Sequence, residues 1–315
     1  MLGRTANDLF WMARYMERAE SIARLLEVGY RIALLPREGG RQDEEWLSTL
    51  RSAGCDRDYL RKYGACSTGD VVNFMLFDGD NPSSVFASLA TARRNARAQR
   101  TAITREMWES LNGAWIDFSA IDPTALHSNE LPPLFDWIKE RSALFRGALL
   151  NTILRNDTFY FSQLGTFLER ADNTARVLDV KYYVLLPHGQ LAGGEIDSVQ
   201  WASILRSVSA HRSYRWVYKD SYKPWNIADY LILNRQMPRS LRSCYEEIVP
   251  ALEELGAYYG NGNDCHALAR ATRRRLAEGD MQAIFQSGLH EFLSDFIACN
   301  GRLANTISAA YHFSD

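Results

Sequence analysis

The side chains best placed to do chemistry lie on two stretches that echo one another. Residues 16–30 read MERAESIARLLEVGY and residues 168–182 read LERADNTARVLDVKY, with eight identities and four like-for-like exchanges. Each stretch carries an adjacent Glu-Arg pair, Glu17-Arg18 and Glu169-Arg170, followed by acids and arginines at helical spacing. At about 100° per residue, Glu17, Glu20, Arg24, Glu27 and Arg31 form one narrow stripe. Glu169, Asp172, Arg176 and Asp179 form its counterpart, while Arg18 and Arg170 stand off the stripes.

Two carboxylates can share acid and base roles when their surroundings push their pKa values apart, which makes Glu17 and Glu169 one candidate pair. Carboxylates on several bundle helices can also hold iron or manganese, but that architecture uses Glu-x-x-His on two of them. Here the spacings are Glu17-x-x-Glu20 and Glu169-x-x-Asp172, no Glu-x-x-His occurs, and an arginine interrupts the acids of each stripe. No metal is expected. Two other readings stay open. The stripes can be structural ion pairs, worth a few tenths of a kcal/mol each on a solvated helix, or a buried network where a bundle covers the helix on both sides. They can equally be a surface for binding or docking. The wheel puts them roughly opposite an apolar face of Met12, Tyr15, Ala19, Ile22, Ala23, Leu26 and Tyr30.

Elsewhere the signals are thinner. Arg93, Arg97 and Arg100 fall at i, i+4 and i+7 as a basic stripe that could meet a phosphate or carboxylate. A solvated face is the plainer reading, as it is for Arg270, Arg273, Arg274 and Arg275. The loop Gly64 to Gly69 is followed by Asp70 where a phosphate loop needs lysine. Cys66 in that loop has no assignable histidine partner. The histidines are scattered and no serine lies in a Gly-x-Ser-x-Gly elbow. No cofactor is indicated. Trp11, Trp46, Trp108, Trp137 and Trp201 read as core residues.

The elements that must position these groups are helical. Long stretches are rich in Ala, Leu, Arg and Glu with apolar residues three and four apart, and strand-like alternation is scarce. The duplication also extends well past the first block. Trp46-Leu47-Ser48 recurs as Trp201-Ala202-Ser203, and residues 70–85 recur as 226–241, with Pro82 and Pro238 each opening a long helical stretch. The offsets drift only from 151 to 156. The expected fold is an all-α helical bundle of two tandem homologous repeats, 1–152 and 153–315, packed as one body with approximate twofold symmetry. Residues 36–45, 187–197 and 119–133 read as connections, with Pro36 and Pro187 ending a helix in each half. The runs 71–77 and 227–233 read as short helices.

The 315 residues are 46% hydrophobic and 23% charged, as in ordinary globular proteins, and a net charge of −2 gives no bulk attraction to nucleic acid or anionic membranes. No apolar run approaches the roughly 20 residues of a membrane span, and the charged N-terminus lacks a signal-peptide block. Five cysteines without CxxC spacing fit reduced thiols in the cytoplasm.

The phrase LGRTANDLFWMARYMERAESIARLL (2–26) resembles the opening of the bacterial Alpha-E family, named for an α-helical domain with a Glu-Arg motif. Residues 81–112, 167–183, 201–215 and 237–244 are similar to that family as well. The resemblance implies that Glu17-Arg18 and Glu169-Arg170 are the motif residues. It also implies a companion of circularly permuted ATP-grasp ligases, in systems that make or modify peptides by amide-bond ligation. It supplies no catalytic residue. The resulting expectation is an accessory helical partner that docks the ligase or holds a peptide or amino-acid ligand. Its binding groups would come from Glu17, Arg18, Glu20, Arg24, Glu27, Glu169, Arg170, Asp172, Arg176 and Asp179, with Arg93, Arg97 and Arg100. An enzyme of the same pathway using Glu17 and Glu169, and a purely structural dimerisation module, are the alternatives.

Overall fold

The computed structural model describes residues 1–34, 42–185, 195–219, 222–259 and 262–313. Among these the chain is all-α, with no strand. The first seven helices are α1 (Gly3–Ala33), α2 (Gln42–Ala53), α3 (Asp56–Tyr63), α4 (Thr68–Leu76), α5 (Val85–Ala98), α6 (Arg105–Ser119) and α7 (Leu131–Thr152). The next eight are α8 (Asp157–Leu185), α9 (Glu195–Ser207), α10 (His211–Tyr218), α11 (Pro224–Ile232), α12 (Leu241–Tyr259), α13 (Asp264–Ala277), α14 (Met281–Ser287) and α15 (Leu289–Ala310). No described helix is long and apolar enough to cross a membrane.

Helix starts follow the local chemistry. Ser84 caps α5 by accepting from Ala87 N, and Ser240 caps α12 by accepting from Ser243 N, each two residues after its proline. The runs at 71–77 and 227–233 are indeed helical, within α4 and α11. Three connections are shorter than the sequence suggests. Helix α2 already starts at Gln42, α9 at Glu195, and Pro132 and Pro133 lie in the first turn of α7, where a missing amide costs nothing. Pro36 and Pro187 lie outside the described residues.

Helices α1 and α8, each roughly 45 Å long at 1.5 Å per residue, form the middle of the molecule. They pack on each other, while α5 and α7 cover α1, α12 and α15 cover α8, and α2 and α9 touch both. A single hydrophobic cluster runs through all of these helices. Close approach of α1 and α8 depends on Gly165, where a Cβ would sit 2.2 Å from the Phe10 carbonyl oxygen and 3.3 Å from the Ala13 Cβ. Trp46 and Trp201 are fully buried, whereas Trp11, Trp108 and Trp137 lie half-buried against the core.

This packing corrects the helical-wheel picture. The charged stripes lie away from the main apolar face, yet neighbouring helices cover most of their residues too. Glu17, Glu20, Arg24 and Glu27 on α1, and Glu169 and Asp179 on α8, are all buried.

A buried Glu-Arg network and the cavity beside it

The two Glu-Arg pairs exchange partners across the α1–α8 contact. Glu17 accepts from Arg170 through both oxygens, Nε at 3.0 Å and Nη2 at 3.1 Å. In return Arg18 donates to Glu169 from Nε at 2.6 Å and Nη2 at 3.1 Å. Both contacts are bidentate forks, the strongest geometry an arginine offers a carboxylate. Arg18 and Arg170, which sit off the stripes on the wheel, are therefore the residues that join the helices.

Around each exchange the stripe residues add their own pairs. Glu20 accepts from Arg24 Nε at 2.9 Å and Nη2 at 2.6 Å, and Asp172 accepts from Arg176 Nε at 2.6 Å. Each of these arginines also donates to a backbone carbonyl on the helix opposite: Arg24 to Ser207, and Arg176 to Ser52 at 3.0 Å. Further down, Glu27 pairs with Arg31 at 2.8 Å and Lys139 at 2.7 Å, and Asp179 lies 2.7 Å from His290.

Partners from other helices complete the network. Arg146 of α7 donates to Glu17 at 2.9 Å and also to Glu20. Arg239, ahead of α12, donates to Glu17 at 3.0 Å and to Glu20. Arg14 donates to Glu169 at 2.8 Å. Nothing in the helical pattern marks Arg14, Arg146, Lys139 or His290. Arg239 did leave a sequence signal: it is the arginine in MPRSL where the matching block reads NPSSV.

Electrostatics fix the protonation of the central acids. Burial alone would raise the Glu17 carboxyl, but Arg170, Arg146 and Arg239 outweigh it and hold it at about 2. Burial is likewise outweighed at Glu169, where Arg18 and Arg14 bring the carboxyl down to about 2. Glu20 is pushed well down by Arg239, Arg24 and Arg146 against the same burial. A general acid or base works best with a pKa near the operating pH. These carboxylates stay ionised and are each paired with at least two arginines, so as paired here they are structural anions.

Other candidates lie apart. Helix α5 ends at Ala98, so Arg93, Arg97 and Arg100 do not form one continuous helical stripe. Arg93 donates to Asn112 at 2.8 Å, Arg100 lies over the Trp108 ring at 4.6 Å, and Arg97 is exposed. No hydrogen bond among the described residues ties these three to the buried network. Arg270 and Arg275 pair with Glu253 and Asp295 at 3.8 and 2.5 Å, as a solvated face does. The Cys55 and Cys244 thiols are pushed up to about 12 by burial, which leaves them poor nucleophiles. Among the described residues no three His, Cys, Asp or Glu side chains gather as a metal's donors would.

Beside the second exchange lies a cavity of about 150 Å³, lined among others by Arg18, Ser21, Ser83, Glu169, Asp172, Asn173 and Arg176. Asn173 is 3% exposed, and neither its Oδ1 nor its Nδ2 has a hydrogen-bond partner in the protein. Arg18, Asp172 and Arg176 retain some contact with solvent, so the cavity reaches the surface.

Fold and site together define an all-α protein whose two central helices are locked by exchanged Glu-Arg pairs. The chain belongs to the Alpha-E family: the family's model, described as "a predicted alpha-helical domain with a conserved ER motif", matches residues 1–312. No curated protein and no solved structure matches the chain.

Proposed function

We propose that this protein is a non-catalytic helical partner in an ATP-grasp amide-ligation system, and that its ligand site is the cavity beside Glu169 and Asp172. The observation that carries the reading is the pairing of the central acids with arginines. Glu17 and Glu169 each accept from at least two arginines and titrate at about 2, which leaves them unsuited to shuttling protons near neutral pH. The buried stripes are likewise unsuited to docking a partner directly. Their work is to hold α1 against α8, and the surface that remains is the cavity mouth and the outer helices. The resemblance to a family of ligase companions supplies the partner class, a peptide or amino acid being the matching ligand.

The architecture fits a duplication with an approximate twofold relation. Each Glu-Arg pair contacts the other in reciprocal fashion, as residues i and j do across an isologous interface. Helices α1, α2, α3, α4 and α5 recur in order as α8, α9, α10, α11 and α12, and α7 has its counterpart in α15.

The test is co-purification with the neighbouring ATP-grasp ligase, together with ligation assays with and without this chain. Stable association and faster or more selective ligation are expected. Independent migration with no effect on ligation overturns the reading. An active Glu17→Gln/Glu169→Gln protein would separately dispose of any acid/base role for these groups.

A further inference from the structure

The two duplicated halves differ in one residue where it counts. By sequence, Ser83 in NPSSV occupies the position of Arg239 in MPRSL, and both precede a capping serine, Ser84 or Ser240. The guanidinium of Arg239 enters the polar cluster and bridges Glu17 and Glu20. The corresponding acids in the other half are Glu169 and Asp172. The residue facing them is Ser83, whose short side chain cannot span the distance, and the 150 Å³ cavity lies there.

The cavity thus reproduces four of the charged groups that surround a buried arginine head. Arg18 and Arg176 stand where Arg170 and Arg24 flank Arg239, and Glu169 and Asp172 stand where Glu17 and Glu20 accept from it. Glu20 takes up three arginines, whereas Asp172 accepts only from Arg176 among the described residues. The Asn173 amide adds a second, independent sign. A buried amide without partners is costly, and its Oδ1 is one more acceptor at the same place. A cavity of this volume admits a molecule the size of benzene, ample for a planar guanidinium.

We propose that this cavity binds a guanidinium group, carried by a free alkylguanidine or by the arginine side chain of a peptide, between Glu169, Asp172 and Asn173. An anion is the chemical opposite to weigh, since two arginines line the wall. Both already commit donors: Arg18 to Glu169 through Nε and Nη2, and Arg176 to Asp172 and the Ser52 carbonyl. In the other half an equally flanked site holds a cation, Arg239. The planar fork of a guanidinium matches two carboxylates at once, which a lysine ammonium does not. This proposal rests on reading the cavity as the ligand site, but not on the ligase association, because its test needs only the isolated protein.

The test is isothermal titration calorimetry on the full chain with agmatine, L-arginine and an acetylated Gly-Arg-Gly amide. Citrulline serves as the neutral isostere and inorganic phosphate as the anion probe. Guanidinium probes are expected to bind at least about tenfold tighter than citrulline, the ratio that a lost charge-assisted hydrogen bond gives. Tighter binding of the peptide assigns an arginine side chain, and tighter binding of agmatine or arginine assigns a free small molecule. Ser83→Arg should abolish binding by filling the cavity from within, as Arg239 does in the other half. Should that variant fail to fold, Asp172→Asn, at a partly exposed side chain, should weaken binding about tenfold. Absence of binding by every guanidinium probe, parity with citrulline, or phosphate binding that Ser83→Arg removes would overturn the proposal. Each of these outcomes leaves the co-purification result untouched, so the two readings fail separately.

Discussion

Around Glu17 and Glu20 four arginines (Arg24, Arg146, Arg170 and Arg239) converge on two carboxylates, and the Arg239 guanidinium bridges both acids. Around Glu169 and Asp172 three arginines (Arg14, Arg18 and Arg176) meet two carboxylates, and a cavity opens to the surface. The exchanged Glu-Arg forks are alike on both sides. Arg146 from α7 and Arg239 ahead of α12 serve only the first cluster, and Arg14 of α1 serves only the second. One Glu-Arg cluster is thus a packed ionic joint, and the other borders a cavity.

Breaking the first cluster should have the larger effect. Glu17→Gln leaves Arg170, Arg146 and Arg239 underpaired in a buried site, and a loss of about 3–5 kcal/mol is expected by urea denaturation. Glu169→Gln should cost less, because Arg14 and Arg18 are 12% and 19% exposed and can turn to water. An equal or greater loss at Glu169 would erase the distinction between the clusters.

Acid titration attacks both clusters together. Glu17 and Glu169 sit at about 2 in the folded protein, against 4.5 for a free glutamate. Between these values the unfolded chain takes up protons that the native state refuses. The stabilisation is therefore fully present above about pH 5 and drains away as the pH falls toward 2, on the order of 3 kcal/mol for each carboxyl. Asp179, raised by burial, works in the opposite sense and blunts the loss. Denaturation midpoints at pH 7, 5 and 3 measure the slope, and a flat profile would contradict the buried pairing.

A smaller effect sharpens the comparison at the helix crossing. Gly165 and Ala13 hold the same position in the two copies, and Gly165→Ala drives a methyl into the Phe10 carbonyl. About 1–3 kcal/mol of overpacking is expected, against about 1 kcal/mol for Ala13→Gly, mostly from lost helix propensity. Thermal melts of both variants compare them. Arg97→Ala, on the exposed face of α5, should change stability by no more than about 0.5 kcal/mol in the same melts.

Much of the fold is legible in the chain. Helical periodicity, capping serines after Pro82 and Pro238, and the repeated blocks mark α1, α2, α4, α5, α8, α9, α11 and α12, because those signals are local. Connections such as 42–45 and 195–197 misread as loops for the same reason: polar residues at a helix start resemble a turn until the rest of the helix packs. The site was legible only in part. Glu17, Arg18, Glu169 and Arg170 stand out through their duplication, but the wheel places the acids on an outer face. Whether that face meets water depends on α5, α7, α12 and α15, which no single-helix pattern reports.

The sequence by itself determined an all-α chain, the twice-written Glu-Arg helix and the family to which it belongs. Local spacing and capping chemistry suffice for these. Only the tertiary structure decided that the charges are buried, that each Glu-Arg pair is satisfied by the other, and that Arg146 and Arg239 complete one cluster alone. Those outcomes rest on contacts between residues more than 100 positions apart, and a carboxylate's solvation and titration follow from whatever the fold brings within hydrogen-bonding distance of it.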